Sequence, residues 1–185
     1  MLNAERTIPA TIGRSDADFR RLLAREVDHA FRLAYLILGD RHDAEDATQE
    51  ALLAAWIGRG GLRELDRFDA WFGRILVNKC RDRQRSRRWI VHSSDQVRPV
   101  AEPEASDRPD RDLPERDAVR DALAKLSPEH RLVVVLRFFA DLPVEAIARQ
   151  TGLRAGTVKS RIHYALAALR AAYESAGAHG REVGQ

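Results

Sequence analysis

The chain has 185 residues, which suits one or two small domains that each bury a modest core. Its residues are 44% hydrophobic and 32% charged, and this composition is globular. The only cysteine, Cys80, excludes an internal disulfide and, without clustered partners, a cysteine-based zinc site. The net charge of +3 hides a strong segregation of charge along the chain.

The N-terminal segment, residues 1–14, is expected to be a disordered lead-in. It has no long apolar core and no small-residue cleavage pattern, so it does not resemble a signal peptide. No apolar run approaches the roughly 18–20 residues that cross a bilayer, so we expect no membrane insertion. These observations predict a cytoplasmic protein in a reducing compartment.

The first predicted helix begins near Ser15, where Ser15 and Asp18 resemble an N-terminal cap. Apolar residues then repeat at helical spacing up to Leu38, and Gly39 ends the helix.

The second predicted helix, from Asp43 to Trp56, is acidic. Asp43, Asp46 and Glu50 are three or four residues apart and therefore share one face, with Gln49 beside them. The opposite stripe is small enough for close contact with a neighbouring helix: Ala44, Ala47, Ala51, Leu52 and Ala55. The carboxylates fit either a solvated face near the positive end of the helix dipole or a docking surface for a basic partner.

The third predicted helix opens near Asp69 with an apolar side and then becomes strongly basic. Against a single Asp82, the segment from 79 to 88 carries six cations: Lys79, Arg81, Arg83, Arg85, Arg87 and Arg88. A run this dense repels itself, and polyphosphate is a natural counterpart. The alternative is a solvated surface helix, although such faces usually interleave both signs.

Residues 93–112 are expected to form a flexible acidic linker. The segment contains three prolines and six carboxylates and almost no large apolar residue. It divides the chain into a first domain over residues 15–92 and a second over residues 113–173, followed by a disordered tail over residues 174–185.

The second domain is predicted to be helical throughout. Pro114, Ser127-Pro128 and Leu142-Pro143 each mark a helix start, and the last helix runs from about Gly156 to Tyr173. No period-two run long enough for a sheet appears anywhere, so the fold class is all-α, with two small helical domains joined by the linker.

The last two helices of this domain are typical of a helix-turn-helix. Gly152 supplies the positive φ that a tight turn needs, and Ala148 is small where the two helices cross. The polar residues of the final helix and its start suit base edges and phosphates in a major groove: Arg154, Thr157, Lys159, Ser160, Arg161, His163 and Tyr164. A helical hairpin packed within a bundle is the alternative, and the two cations at 159 and 161 argue against it.

Three motifs in this order resemble the extracytoplasmic-function class of bacterial sigma factors of the sigma-70 family. Residues 39–50 with Trp56 resemble region 2.2, residues 70–78 with the following basic run resemble regions 2.3 and 2.4, and residues 145–161 resemble region 4.2. The resemblance implies a factor that binds core RNA polymerase and directs promoter-specific initiation of transcription.

The resemblance also implies partners and site residues. Region 2.2 docks on the clamp helices of the polymerase β′ subunit, which assigns polymerase binding to Asp43, Asp46, Gln49 and Glu50. Regions 2.3 and 2.4 melt the −10 element and capture a flipped base, which assigns DNA binding there to Trp71, Arg74, Asn78, Lys79, Arg81, Arg83 and Arg85. Region 4.2 reads the −35 element with the polar residues of the last helix. The polymerase β flap and an anti-sigma factor are further implied partners, and no cofactor, metal or catalytic residue is implied.

Two other functions remain open from the sequence. A helix-turn-helix regulator that binds duplex DNA without polymerase explains the second domain but gives the acidic helix no task. An enzyme could use His42, Asp46 and Glu50 as metal ligands on one helical face. A helical di-metal site would require repeated Glu-x-x-His pairs, and neither these nor a P-loop occurs in the sequence.

Overall fold

A computed structural model describes residues 12–62, 64–93 and 114–182, with side chains described over 16–62, 64–87 and 118–174. Within these ranges the chain is helical and contains no strand, which confirms the all-α prediction. The α-helices are α1 (Ile12–Leu38), α2 (Arg41–Gly58), α3 (Phe68–Ser93), α4 (Pro114–Ala124), α5 (Pro128–Phe138), α6 (Val144–Thr151) and α7 (Ala155–Glu182). Two short 3-10 turns, Arg59–Gly61 and Leu65–Arg67, connect α2 to α3.

Both outer helices are longer than the sequence predicted. Helix α1 begins at Ile12, so Ser15 lies inside the helix and does not cap it. Helix α7 continues past Tyr173 to Glu182: no proline interrupts it, and it runs through Gly177 and Gly180, which the sequence alone would favour as a helix end. Residues 12–14 and 174–182 are therefore helical, contrary to the predicted lead-in and tail. The rest of the lead-in, residues 1–11, and the linker positions 94–113 lie outside the described residues.

Helices α1, α2 and α3 pack together as one lobe, which we call the N-terminal lobe. The small stripe of α2 allows close packing, since Ala44, Ala47, Ala51 and Ala55 are all fully buried. The Asp40 side chain caps α2 by accepting a hydrogen bond from the backbone N–H of Asp43 at 2.8 Å. Gly39 takes φ +72° and ends α1, so the chain can turn directly into α2.

Helices α4 to α7 form the C-terminal lobe, and α6 and α7 are the predicted helix-turn-helix. Ser127 caps α5 and Pro128 opens it, as the sequence indicated. Gly152 adopts φ +71° in the turn between α6 and α7. Ile147 and Val158 are fully buried on either side of that turn and hold the two helices at a fixed angle.

The two lobes touch each other. Helix α5 lies against α1, and α6 lies against α3. The buried residues of both lobes belong to a single hydrophobic cluster. In the part of the chain described, no helix carries an apolar stretch that could cross a membrane.

Candidate functional site

The acidic face of α2 lies against the basic face of α3, and the two form a ladder of ion pairs that we call the charge ladder. Arg83 lies at its centre, with its guanidinium 2.6 Å from Glu50 Oε1 and 2.9 Å from Asp46 Oδ2. Lys79 Nζ is 3.3 Å from Glu50 Oε2. At the other end, Arg87 contacts Asp43 and lies 2.7 Å from Asp40 Oδ2. Residues 79, 83 and 87 are four apart on α3, so they follow one face along α2.

The ladder shifts the pKa values of its members. The hydrogen bond from Arg83 lowers the pKa of Glu50, and the same bond raises the pKa of Arg83. Burial alone would raise the pKa of Asp40, but the hydrogen bond from the Asp43 N–H and the ion pair with Arg87 outweigh it and lower that pKa. Burial raises the pKa of Asp43 despite its cationic neighbours, and no well-oriented hydrogen bond from the described residues reaches Asp43 Oδ2.

The ladder changes the interpretation of both charged segments. The sequence suggested an acidic surface for a protein and a separate basic surface for DNA. The structure instead pairs three of the five cations whose side chains are described, Lys79, Arg83 and Arg87, with carboxylates of the acidic helix and its cap. The pairs are not sealed from solvent, since the side chains of Glu50 and Asp46 are 44% and 31% exposed. Part of the acidic face therefore stays accessible to a partner.

The other residues assigned to the −10 element occupy different environments. Arg74 and Asn78 are exposed on α3, and Arg85 is exposed with Asp82 3.6 Å away. Trp71 is partly buried against Phe19 and Phe68, at ring-centroid distances of 6.1 and 6.3 Å. The Arg81 guanidinium donates a hydrogen bond of 2.6 Å to the Thr151 carbonyl in the C-terminal lobe.

The residues assigned to the −35 element lie together at the start of α7. Five of them are exposed, and Thr157 and Arg161 are partly exposed. The His163 and Tyr164 rings meet edge to face at 5.5 Å, and Tyr164 is 63% exposed. Because Val158 and Ala165 hold the opposite face of α7 in the core, this polar face points away from the lobe.

The metal-site alternative finds no support in this geometry. Asp46 and Glu50 are paired with Arg83 rather than gathered around a space for a cation. Within the described ranges, no group of three or more His, Cys, Asp or Glu side chains could hold a metal ion.

Two family models match this chain. Residues 22–90 match sigma-70 region 2, and residues 122–171 match sigma-70 region 4. The chain is 35% identical over 178 residues to the ECF RNA polymerase sigma factor SigL of Mycobacterium tuberculosis. The alignment covers 89% of this chain and 96% of SigL. This chain is an ECF sigma factor of the sigma-70 family.

Other sigma factors agree with this assignment. The RNA polymerase sigma-E factor of Streptomyces avermitilis is 32% identical over 159 residues, covering 85% of this chain and 86% of that protein. Among solved structures, the sigma factor RpoE of Bartonella quintana, in complex with the anti-sigma factor NepR, aligns with a TM-score of 0.68 at 26% identity. That alignment covers 85% of this sigma factor and 97% of RpoE. CnrH, in complex with the cytosolic domain of CnrY, aligns with a TM-score of 0.61 at 27% identity, covering 86% and 90% of the two chains.

The structure adds two residues that the sequence assignment of this sigma factor missed. Leu53 and Ile57 are 60% and 72% exposed on α2. They lie one and two turns beyond Gln49, so they extend the same open edge of the helix. The sequence shows their four-residue spacing from Gln49, but spacing alone does not indicate that apolar side chains are exposed.

Proposed function

We propose that this sigma factor binds core RNA polymerase through α2, contacts the −10 element through α3 and reads the −35 element through α7. The observation that carries the proposal is that the assigned polar residues of α7 and Gln49 of α2 are exposed or partly exposed, while Asp46 and Glu50 stay partly accessible within the charge ladder. A regulator that binds duplex DNA without polymerase is disfavoured. Such a protein would need only the C-terminal lobe, and the surface of α2 would then have no function.

The polymerase-docking surface is the open edge of α2. It combines the exposed apolar pair Leu53 and Ile57 with Gln49 and the accessible carboxylates of Asp46 and Glu50. An exposed apolar pair beside charge fits a partner that offers apolar side chains flanked by cations. The clamp helices of the polymerase β′ subunit are the proposed partner, as the sequence resemblance implies.

At the −10 element, we assign two kinds of contact to α3. Arg74, Asn78 and Arg85 are exposed, and the two arginines suit phosphate oxygens. Asn78 and Trp71 are the candidates for an unpaired base, through hydrogen bonding and stacking respectively. Stacking contributes about 1–3 kcal/mol per base, which is comparable to the few kcal/mol that unstacking a base costs.

At the −35 element, the first turns of α7 enter the major groove. Lys159 and Arg161 supply cations, and Ser160 and Thr157 supply hydroxyls. This is the position of the recognition helix in other helix-turn-helix proteins. The β flap of polymerase is the proposed partner for the remaining surface of the C-terminal lobe.

Two further proposals follow from the relatives. RpoE was solved in complex with NepR, which is named an anti-sigma factor, so an anti-sigma factor is a proposed partner here as well. We also propose that the protein works in the cytoplasm, where core polymerase is found, and that it catalyses no reaction of its own.

The test is run-off transcription with purified core polymerase on a genomic promoter library, combined with a core-binding assay. The double variant Leu53→Asp, Ile57→Asp should weaken core binding at least tenfold, which corresponds to about 1.4 kcal/mol. Leu65→Asp is the matched control, because Leu65 is 47% exposed in the same lobe but lies off α2. Unchanged core binding by the double variant, or equal losses in both proteins, would remove the open edge of α2 from the proposal.

A further inference from the structure

The outward side of α7 carries a line of exposed residues that we call the central stripe: Gly156, Ser160 and Tyr164. These residues are four apart and exposed, so they follow one another along the middle of the side that faces solvent. Val158 and Ala165 on the opposite side are fully buried. The core of the lobe therefore fixes the direction in which the central stripe points.

Cations lie on both sides of the central stripe. Lys159 and Arg161 adjoin Ser160 in the sequence, so each projects about 100° to one side of it around the helix axis. Arg154 precedes the helix, which begins at Ala155. When a helix lies in a major groove, its flanks face the phosphates of the two strands and its middle faces the base edges. The cations of α7 are therefore placed for phosphates, whereas the bases meet a glycine, a hydroxyl and an aromatic ring.

Gly156, in the first turn of α7, has no structural reason to be glycine. Gly152 adopts a positive φ, but Gly156 does not. A Cβ atom built on Gly156 would meet no heavy atom within 4 Å, so no neighbour in the lobe requires its absence. Glycine weakens a helix relative to alanine, and neither packing nor the backbone offsets that cost here. A missing side chain at this position instead allows a base edge to approach the start of the helix closely.

Tyr164 presents an apolar ring to solvent in a preset orientation. Its side chain is 63% exposed, and its ring meets the His163 ring edge to face, with centroids 5.5 Å apart and planes at 71°. This contact limits the rotation of an otherwise exposed ring. Among the four bases, only thymine presents a methyl group in the major groove, and apolar side chains recognise it by direct contact. Guanine is most often read by an arginine or a lysine, and the central stripe contains neither.

We propose that Tyr164 is a specificity-determining residue of the −35 reader and selects a thymine through its methyl group. Gly156 lets the start of α7 approach the bases, and Lys159 and Arg161 hold phosphates on either side. The inference rests on the proposed function, because it assumes that α7 lies in the major groove of the −35 element.

The first experiment removes the methyl group from the DNA. The full-length protein with core polymerase selects active promoters by run-off transcription from a library randomised over the −35 element. The selected element is then synthesised with deoxyuridine in place of each thymine in turn, which deletes only the methyl group. At one position this change should weaken promoter binding by the holoenzyme roughly fourfold, as loss of one buried methyl-sized group implies.

Variants of Tyr164 show whether the ring makes this contact. Tyr164→Ala should bind the thymine and deoxyuridine promoters equally, whereas Tyr164→Phe, which keeps the ring, should distinguish them as the wild type does. Tyr173→Ala is the matched control, because Tyr173 is 83% exposed on the same helix but lies more than two turns farther along. It should also retain the wild-type discrimination.

The outcomes separate this inference from the proposed function. A selected −35 element at which no deoxyuridine weakens binding overturns the inference, and so does a methyl effect that persists in Tyr164→Ala. A holoenzyme that selects no upstream sequence from the library counts against the proposed function instead.

The second experiment tests the close approach at Gly156. Gly156→Gln should raise the melting temperature of the free protein, because glutamine favours a helix more than glycine does, and should weaken promoter binding by the holoenzyme at least tenfold. Ala168→Gln is the control, since Ala168 is exposed on α7 three turns farther along, and it should leave promoter binding unchanged. Wild-type promoter affinity in Gly156→Gln, or a lowered melting temperature, would overturn the role assigned to Gly156.

Discussion

At the scale of single residues, Arg83 is the cation of the charge ladder that lies within 4 Å of the most carboxylates. It contacts Asp46 and Glu50 and lies 3.9 Å from Asp43, while its own side chain is 30% exposed. A guanidinium suits this position because its planar fork can serve two carboxylates at once. Removing it leaves like charges on one face of α2 without their principal counterion.

We therefore expect Arg83→Met to lower the free energy of unfolding by about 1–2 kcal/mol, between the values typical of exposed and buried ion pairs. Urea denaturation followed by circular dichroism measures the change. Arg85→Met is the control: Arg85 lies on the same helix but is 68% exposed and pairs only with Asp82 in the described residues, so its effect should stay within about 0.5 kcal/mol. Equal effects of the two substitutions would mean that the ladder contributes nothing specific.

At the level of residues, the sequence predicted local backbone and packing features but not long-range side-chain partners. The positive φ of Gly152, the Ser127 cap and the buried alanine stripe follow from local rules, and the structure confirms all three. The partners of Arg83 and Arg81 could not be predicted, because both contacts join residues at least 33 positions apart. Local patterns hold no information about which helix a charged face will meet.

At the scale of elements, α7 combines two properties that a DNA-reading helix needs. One face is anchored by Val158 and Ala165, both fully buried, and the opposite face presents polar groups to solvent. The anchor fixes the direction of those groups, so binding orders few additional side chains. The sequence predicted the start of this helix to within one residue but ended it nine residues early, because Gly177 and Gly180 resemble helix stops although the helix runs through both.

Lys159→Ala and Arg161→Ala should each weaken binding of the isolated sigma factor to duplex −35 DNA and reduce the salt slope of log K by about 1, as loss of one phosphate contact requires. Fluorescence anisotropy over a series of salt concentrations measures both quantities. Arg170→Ala serves as the control, because Arg170 is exposed on the same helix but lies two to three turns farther along. Slopes that change equally at 159, 161 and 170 would indicate attraction by the whole helix rather than docking of its first turns.

At the scale of the whole molecule, the charge ladder pairs cations of α3 with carboxylates of α2 within the N-terminal lobe, so that each partly neutralises the other. The net charge of +3 is the difference between 31 cationic and 28 anionic side chains. It does not show how many of the cations are paired with carboxylates. Lys79, Arg83 and Arg87 all contact carboxylates of α2 or its cap. A free sigma factor with its cations paired in this way is expected to bind bulk DNA weakly, since fewer counterions are exchanged.

The double variant Asp46→Asn, Glu50→Gln should release Arg83 and Lys79 for phosphate. We expect the non-specific DNA affinity of the free protein to rise and the salt slope to steepen by about 1–2, at roughly 0.9 per phosphate contact. The control is Asp66→Asn, Asp69→Asn, which changes net charge equally at exposed positions outside the ladder. If both double variants bind DNA alike, total charge and not release from the ladder sets the affinity.

The single thiol of the chain has a consequence for signalling. Cys80 is fully enclosed by the N-terminal lobe, and its raised pKa keeps the sulfur protonated at physiological pH. Oxidants and soft metal ions react with thiolates that they can reach, and this sulfur is neither ionised nor reachable. Cys80 is therefore unsuited to act as a redox or heavy-metal sensor in the folded protein.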